Sequence, residues 1–390
     1  MLDVVTGLSE DNLLTRDDLL IQTEQENNLY RFGFEEFIRF EKNENLPSTT
    51  KNAKLKNIHQ WAVKVSETNN LYQTSIPAPY VCVVKDVDLI GTVALAVNNE
   101  GKIIFETMGS RKNNLQSSIN YNLKNFDPQD TEFMREPPII DLAFSLVFTW
   151  RNYSHWLLDN LVRIQGFEHY CEITGEKPAI IIDSEPSDWM VQSLKLVGYD
   201  VADCIPWNGT RAKVNQLVLP SFRRYKPSPF YSPAACQWLR DRILSNITHI
   251  DSNNTFNSPN IFISRKKAKA RRIVNEDELV EKLSGLDFVA YTLEDMSFAD
   301  QVRLFSQAKI IVAPHGAGLA NMIFSQNPVV IELFSSTMSL VFFALAKGLG
   351  FQYDCLNCQP EDVTDKPKRE RNYDMSVNYD ELSELIYRFM

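Results

Sequence analysis

The chain has 390 residues, 44% of them hydrophobic, enough for two or three domains with cores of ordinary size. Its formal net charge of −10 argues against nucleic acid as the main partner, because such sites need a basic excess. The opening residues MLDVVTGLSEDNLLTRDD carry acids where a secretory segment carries bases, and no apolar run reaches the roughly 18 residues that span a bilayer. Cys355 and Cys358 form a single C-x-x-C with neither a second pair nor a nearby histidine, so the six cysteines read as ordinary reduced thiols. These features predict a soluble cytoplasmic protein.

Residues 1–75 are polar and read as an N-terminal extension. Phe34, Phe37, Ile38 and Phe40 suggest a short amphipathic helix in it, and Asn43 to Lys56 a solvated connector. From Tyr80 the pattern becomes β-type. Tyr80–Val84, Val93–Val97 and Ile103–Phe105 predict a small antiparallel sheet with a turn at Asn98–Gly101, and 112–138 reads as irregular. Strands and helices alternate from Ala143 onward: a strand to Thr149, a helix Tyr153–Tyr170, a strand Ala179–Ile182, a helix Asp188–Leu196, and short strands at Asp203–Pro206 and Gln216–Leu219. A proline-bearing connector at 221–233 leads to a helix Ala234–Leu244, and the polar run 248–259 is a second candidate boundary.

The second half predicts strands at Ile261–Ile263, Phe288–Tyr291, Ile310–Ala313, Val329–Leu333 and near Tyr353. Asn275 with Glu278 suggests a capping box, Ser297 an N-cap for a helix ending near Ala308, and Tyr379–Met390 a terminal helix. Repeated strand–helix–strand units imply parallel α/β sheets. The predicted divisions are 1–75, an α/β domain over 76–235, a Rossmann-like domain over 236–378 and the terminal helix 379–390.

The most informative stretch is Ile310 to Phe334. An apolar strand ends at Pro314, His315-Gly316-Ala317-Gly318 follows, and a short helical segment runs from Leu319 to Phe324, past Asn321. Strand, glycine loop and helix place backbone N–H groups at a strand's carboxyl end, where phosphates bind. The third glycine of a dinucleotide fingerprint is missing. Ser264 and Arg265 follow another strand end, where a guanidinium suits a diphosphate; Arg271 is a further candidate. The rest of the basic run reads as a solvated loop. Glu332 lies in an apolar strand, where a carboxylate is either satisfied by backbone or placed to accept from ribose hydroxyls. Backbone at Thr292 and Leu293, after the next strand, is placed to read a base.

In the first half, His155, Asp159 and Arg163 fall at i, i+4 and i+8 of one helix, with Asn152 above them. Apolar residues fill nearly all the rest, so the helix is expected to be buried except for this polar seam. The seam is either a structural ion pair with a satisfied histidine or an acid/base pair suited to removing a hydroxyl proton. Asp86-Val87-Asp88 has a metal-binding D-x-D spacing but lies outside both α/β units and reads as a chance turn.

Three motifs resemble glycosyltransferase family 61, the group of bacterial capsular polysaccharide biosynthesis proteins. They are Tyr153-Ser154-His155-Trp156-Leu157-Leu158-Asp159; Ile263-Ser264-Arg265 with Ala268, Arg271, Arg272, Asn275 and Glu276; and Pro314 to Asn321 with Glu332. The resemblance covers about residues 140–350 and leaves the first 75 unmatched. It implies a GT-B fold of two Rossmann-like halves facing a cleft, with the donor on the second half and the acceptor on the first. It further implies inverting transfer from a nucleotide sugar, UDP-linked by family tendency, to a glycan or lipid-linked acceptor in surface polysaccharide synthesis. Neither a metal nor a cofactor beyond that co-substrate is implied. Eukaryotic relatives carry a secretory anchor, and none is evident here, which suggests a cytoplasmic bacterial type with scope for peripheral membrane association. His155 and Asp159 would supply the base. Ser264, Arg265, Arg271, Thr292, Leu293, His315, Gly316, Ala317, Gly318, Asn321 and Glu332 would bind the donor, supported by Asn152 and Arg163 in the first half. A GT-B-like sugar-nucleotide epimerase and a non-catalytic nucleotide-sugar-binding protein are the alternatives.

Overall fold

The computed structural model describes residues 13–41, 64–66, 71–107, 136–147, 152–224, 230–247, 256, 258–335, 339–361 and 372–390. The expected connector at 43–56, most of 112–138 and most of 248–259 lie outside them. The chain divides into two compact units, Met1–Glu35 with Pro77–Lys226, and Glu36–Ile76 with Pro227–Met390. The residues read as one N-terminal extension are therefore shared between the two.

In the first unit the expected antiparallel and parallel parts merge into one mixed sheet, nine-stranded among the described residues. Arg211–Pro220 joins them: it pairs antiparallel with Tyr80–Ile90 and parallel with Ile139–Ser145. Ala179–Asp183 and Ile205–Trp207 extend the parallel side. Tyr80–Ile90 and Arg211–Pro220 are longer than their apolar runs predict, because each continues through alternating polar positions. Val84, Val87, Leu89, Ala143, Ile181, Leu217 and Leu219 form the core of this unit. Asp88 sits within a strand rather than a turn, and its carboxylate accepts from Arg211 Nε and Nη2 at 3.1 and 2.9 Å.

The second unit holds a five-stranded, fully parallel sheet. In spatial order its strands are Phe288–Tyr291, Asn260–Ile263, Ile310–Pro314, Val329–Phe334 and Gln352–Asn357. The first two are reversed relative to chain order, so the topological switch point lies between Asn260–Ile263 and Ile310–Pro314. Ligands of open α/β sheets gather at the carboxyl ends flanking such a point. The central strands are buried on both faces, as parallel strands require.

Two local expectations are corrected and a third is sharpened. Phe34 to Phe40 is not a helix: Glu36–Glu41 is a strand paired with Leu71–Ile76, with Ile38 buried and Phe37 exposed. Asn275 makes no side-chain cap to its helix; its amide instead exchanges two hydrogen bonds with the Val377 backbone. The segment after the glycine loop is a 3₁₀ helix, Ala317–Phe324. Ser297 does cap Phe298–Gln307, its hydroxyl accepting from the Asp300 N–H. No helix among the described residues is long and apolar enough to cross a membrane.

Candidate active site

In the first unit, Asn152 caps the helix that carries His155, its Oδ1 accepting from Ser154 N at 3.0 Å. His155 Nδ1 lies 2.7 Å from Asp159 Oδ2. An ionised carboxylate can only accept, so Nδ1 carries the proton and Nε2 is the basic nitrogen. Asp159 is 0% exposed, and its other oxygen lies 2.8 Å from Arg224 Nε. Asp159 is thus shut away from solvent, with its carboxylate against the imidazole.

The seam ends there. Trp156–Asn160 is a π-helical turn, with Leu161 N–H donating to Trp156 O, followed by a 3₁₀ turn, Leu161–Arg163. Widening the helix by one residue per turn rotates everything beyond it, so the i+8 projection of Arg163 fails. π-Bulges of this kind occur frequently at functional sites. Arg163 instead reaches the strand ends, donating through Nε to Pro220 O at 3.0 Å and lying over the Phe144 and Phe222 rings at 5.4 and 5.0 Å. Burial pushes its pKa down to about 10, with nearby Glu106 opposing the shift. Arg224, which sequence reasoning did not single out, takes the place expected of Arg163. Nothing in its local sequence, an Arg pair before a proline-rich stretch, marks it. Two contacts fix the bulge: Trp156 Nε1 donates to Ser193 Oγ at 2.8 Å, and Asn160 Nδ2 to Leu146 O at 3.0 Å.

In the second unit, Arg265 and His315 leave the two strands that flank the switch point. Arg265 lies against Gly316: a Cβ added there would fall on its Nη1. The guanidinium donates from Nη2 to Ala270 O at 3.0 Å, while its buried Nε has no partner among the described residues. Burial lowers the Arg265 pKa, with Glu294 and Asp374 offsetting part of the shift. A guanidinium at a strand end, packed on a glycine, suits an anion. Gly318 is likewise filled from outside, by Leu293 Cδ1. The two glycines therefore admit neighbouring side chains. Gly316 has φ 179, extended backbone open to any residue, so Gly316→Ala acts through its methyl group alone. It is expected to push Arg265 aside and weaken the binding of any diphosphate ligand held by the guanidinium, with UDP as the probe. Titration calorimetry reads this, and unchanged affinity would put the guanidinium outside the ligand site.

Several expected donor contacts have other work. Ser264 Oγ donates to Glu276 Oε1 at 2.5 Å, and the Arg265 N–H reaches Glu276 Oε2 at 3.3 Å. Glu276 thus moulds the loop from beneath. Arg272 is committed to Asp374 through Nε and Nη2 at 3.2 and 2.7 Å. Arg271 stands at φ 58, a left-handed conformation costly for a long side chain. Asn321 is 0% exposed, and its amide donates to Gln301 Oε1 at 2.9 Å. Gln301 in turn donates to Leu293 O at 3.0 Å, so Asn321 braces the loop at 292–293 from within. Thr292 begins the 3₁₀ turn Leu293–Asp295 there, and Ala317 opens the longer one.

Glu332 is corrected most. It is 0% exposed. Its Oε1 lies 2.5 Å from His315 Nδ1, and its Oε2 accepts from the Tyr353 hydroxyl at 2.5 Å. Its burial, with each oxygen already engaged by a side chain, argues against the ribose contact. Sequence reasoning placed a strand near Tyr353 but gave its hydroxyl no role.

Residues 153–331 match the family model described as Glycosyltransferase 61, a span that opens on the His155 helix and closes one residue before Glu332. The chain is 33% identical over 114 residues to the Homo sapiens Protein O-linked-mannose beta-1,4-N-acetylglucosaminyltransferase 2, covering 26% of this chain and 20% of that protein. It is 29% identical over 99 residues to the Mus musculus EGF domain-specific O-linked N-acetylglucosamine transferase, covering 24% and 19%. The Canis lupus familiaris protein of that name matches at 23% over 170 residues, covering 40% and 32%. The chain thus spans a third or less of the length of these relatives. They are animal proteins, which moves the comparison away from the bacterial capsular type. The family match and the relatives' names together support a glycosyltransferase enzyme.

Proposed function

We propose that this chain transfers a sugar, with inversion and without a required metal, from a UDP-sugar to a hydroxyl of a glycan. The observation that carries the reading is the pairing of Arg265 with Gly316 at the switch point of the parallel sheet. There the Arg265 guanidinium, the Gly316 backbone and the imidazole of His315 lie together at neighbouring strand ends, where a diphosphate would bind. The second unit would hold the donor. In a GT-B-like arrangement the first unit would supply the base, and its geometry favours one assignment. His155 Nε2 takes the acceptor proton while buried Asp159, held by Arg224, fixes the ring. The acceptor oxygen bonds to the anomeric carbon, the bond from that carbon to the diphosphate oxygen breaks, and the departing UDP takes the electron pair. Fixed donors around Arg265 stabilise the charge it gains. The pairing of Asp88 with Arg211 favours a structural role for the D-x-D. The relatives' names make N-acetylglucosamine the first sugar to test.

Incubation with UDP and with UDP-N-acetylglucosamine should raise the melting temperature, since a ligand bound only by the folded state stabilises it. Turnover should persist in EDTA, with mannose-bearing and bacterial surface-type glycans as the acceptor arms. Epimerised donor without an acceptor would favour an epimerase instead. Tight binding with no turnover on any acceptor would favour a non-catalytic binder, and loss in EDTA restored by manganese would overturn metal independence.

A further inference from the structure

We propose that Tyr353 and Glu332 are positioning residues for His315, holding its Nδ1–H so that the Nε2–H of the imidazolium form meets the departing diphosphate. This rests on the nucleotide-sugar reading of the second unit. The sheet register builds the device. Glu332 pairs with Ala313 on one side and Cys355 on the other. Alternation puts His315, two residues past Ala313, and Tyr353, two before Cys355, on the same face as Glu332. They are its diagonal neighbours, within reach of long side chains. The three groups therefore run obliquely across the sheet, from Tyr353 in the interior to His315 at the carboxyl end.

Each member is constrained. Glu332 lies between Ile331 and Leu333, both 0% exposed, where an apolar residue would cost less than a carboxylate. Burial and the adjacent Glu332 raise the Tyr353 pKa well above its ordinary value, so its hydroxyl stays a donor. The other oxygen of Glu332 accepts from His315 Nδ1–H. The His315 ring stacks on Phe334 with centroids 5.5 Å apart and meets Phe342 at 5.4 Å. Its side chain keeps 18% exposure, and Gly316 with Arg265 is the next step along the loop. A carboxylate on Nδ1–H holds the ring and stabilises its imidazolium form, as in hydrolytic triads, and that form presents Nε2–H to an anion. Here that N–H would donate to the diphosphate, and the inner end of the relay is held by a phenol.

The test is a double-mutant cycle on Tyr353→Phe and His315→Ala, with kcat and KM for UDP-N-acetylglucosamine, UDP affinity and melting temperature measured on each protein. Tyr353→Phe is expected to lower kcat about tenfold, the scale for partners that orient a functional histidine, with KM little changed. In the His315→Ala background it should add no further loss, because a residue acting through another has nothing left to position. Equal losses in both backgrounds, or full turnover in Tyr353→Phe, would overturn the proposal. If Tyr353→Phe does not fold, Glu332→Gln takes its place in the same cycle with the same outcomes. Failure of the wild-type chain to bind UDP would overturn the nucleotide-sugar reading itself, and this proposal with it.

Discussion

Asp159→Asn is expected to lower sugar transfer by about a hundred- to ten-thousandfold, the range for a disabled general base, while UDP affinity stays near wild type. The carboxylate accepts from His155 Nδ1–H at 2.7 Å and pairs with Arg224 at 2.8 Å. An asparagine can turn its NH₂ toward Nδ1 and force the proton onto Nε2, leaving a donor where a base is needed. It also removes the charge that balances buried Arg224, so some stability is expected to be lost. His155→Ala separates the two effects, because it keeps the Asp159–Arg224 pair. It should lose comparable turnover with a melting temperature near wild type. Full turnover in both variants would sink the assignment of the base.

Arg265→Ala should weaken UDP binding by roughly a hundredfold or more, as expected when a fixed charged donor is removed from a dry site. The guanidinium is held by Ala270 O and rests on Gly316, so it needs little reorganisation to receive an anion. Lysine should not restore affinity, because a point charge lacks the planar fork. Calorimetry on the two variants checks this. UDP affinity unchanged in Arg265→Ala would move the anion site elsewhere.

The second unit was the more legible in sequence. The five strands of its parallel sheet are short apolar runs bounded by glycine, proline or polar residues, and all form where the pattern puts them. A parallel strand buried on both faces needs such a run, and few other structures do. The first unit was less legible, since Tyr80–Ile90 and Arg211–Pro220 extend through polar positions that only their mutual pairing explains. Phe34 to Phe40 misled for a related reason: a few aromatics fit a helical or an alternating spacing equally well, and the pairing with Leu71–Ile76 decides.

Among the chemical groups, spacing alone brought His155 to Asp159, because i,i+4 neighbours touch on any regular helix turn. It failed four residues later at Arg163, where the π-turn breaks the period. Ser264 reads as a ligand contact because it follows a strand end, and Asn321 because the family resemblance implies it. The structure spends their hydrogen bonds on Glu276 and Gln301, a choice invisible without the fold.

Sequence by itself determined the kinds of groups present and the strand ends that carry them: Arg265 after one strand, His315-Gly316 after another, and His155 and Asp159 one helical turn apart. Those features are local, set by a few neighbouring residues and the periods of helix and strand. Only the tertiary structure decided which groups meet. It set Arg265 on Gly316, closed Asp159 with Arg224, and turned Glu332 from a ligand contact into the buried link between Tyr353 and His315. Sheet order and register bring together residues distant along the chain, and burial then determines whether a polar group answers to a ligand or to its neighbours.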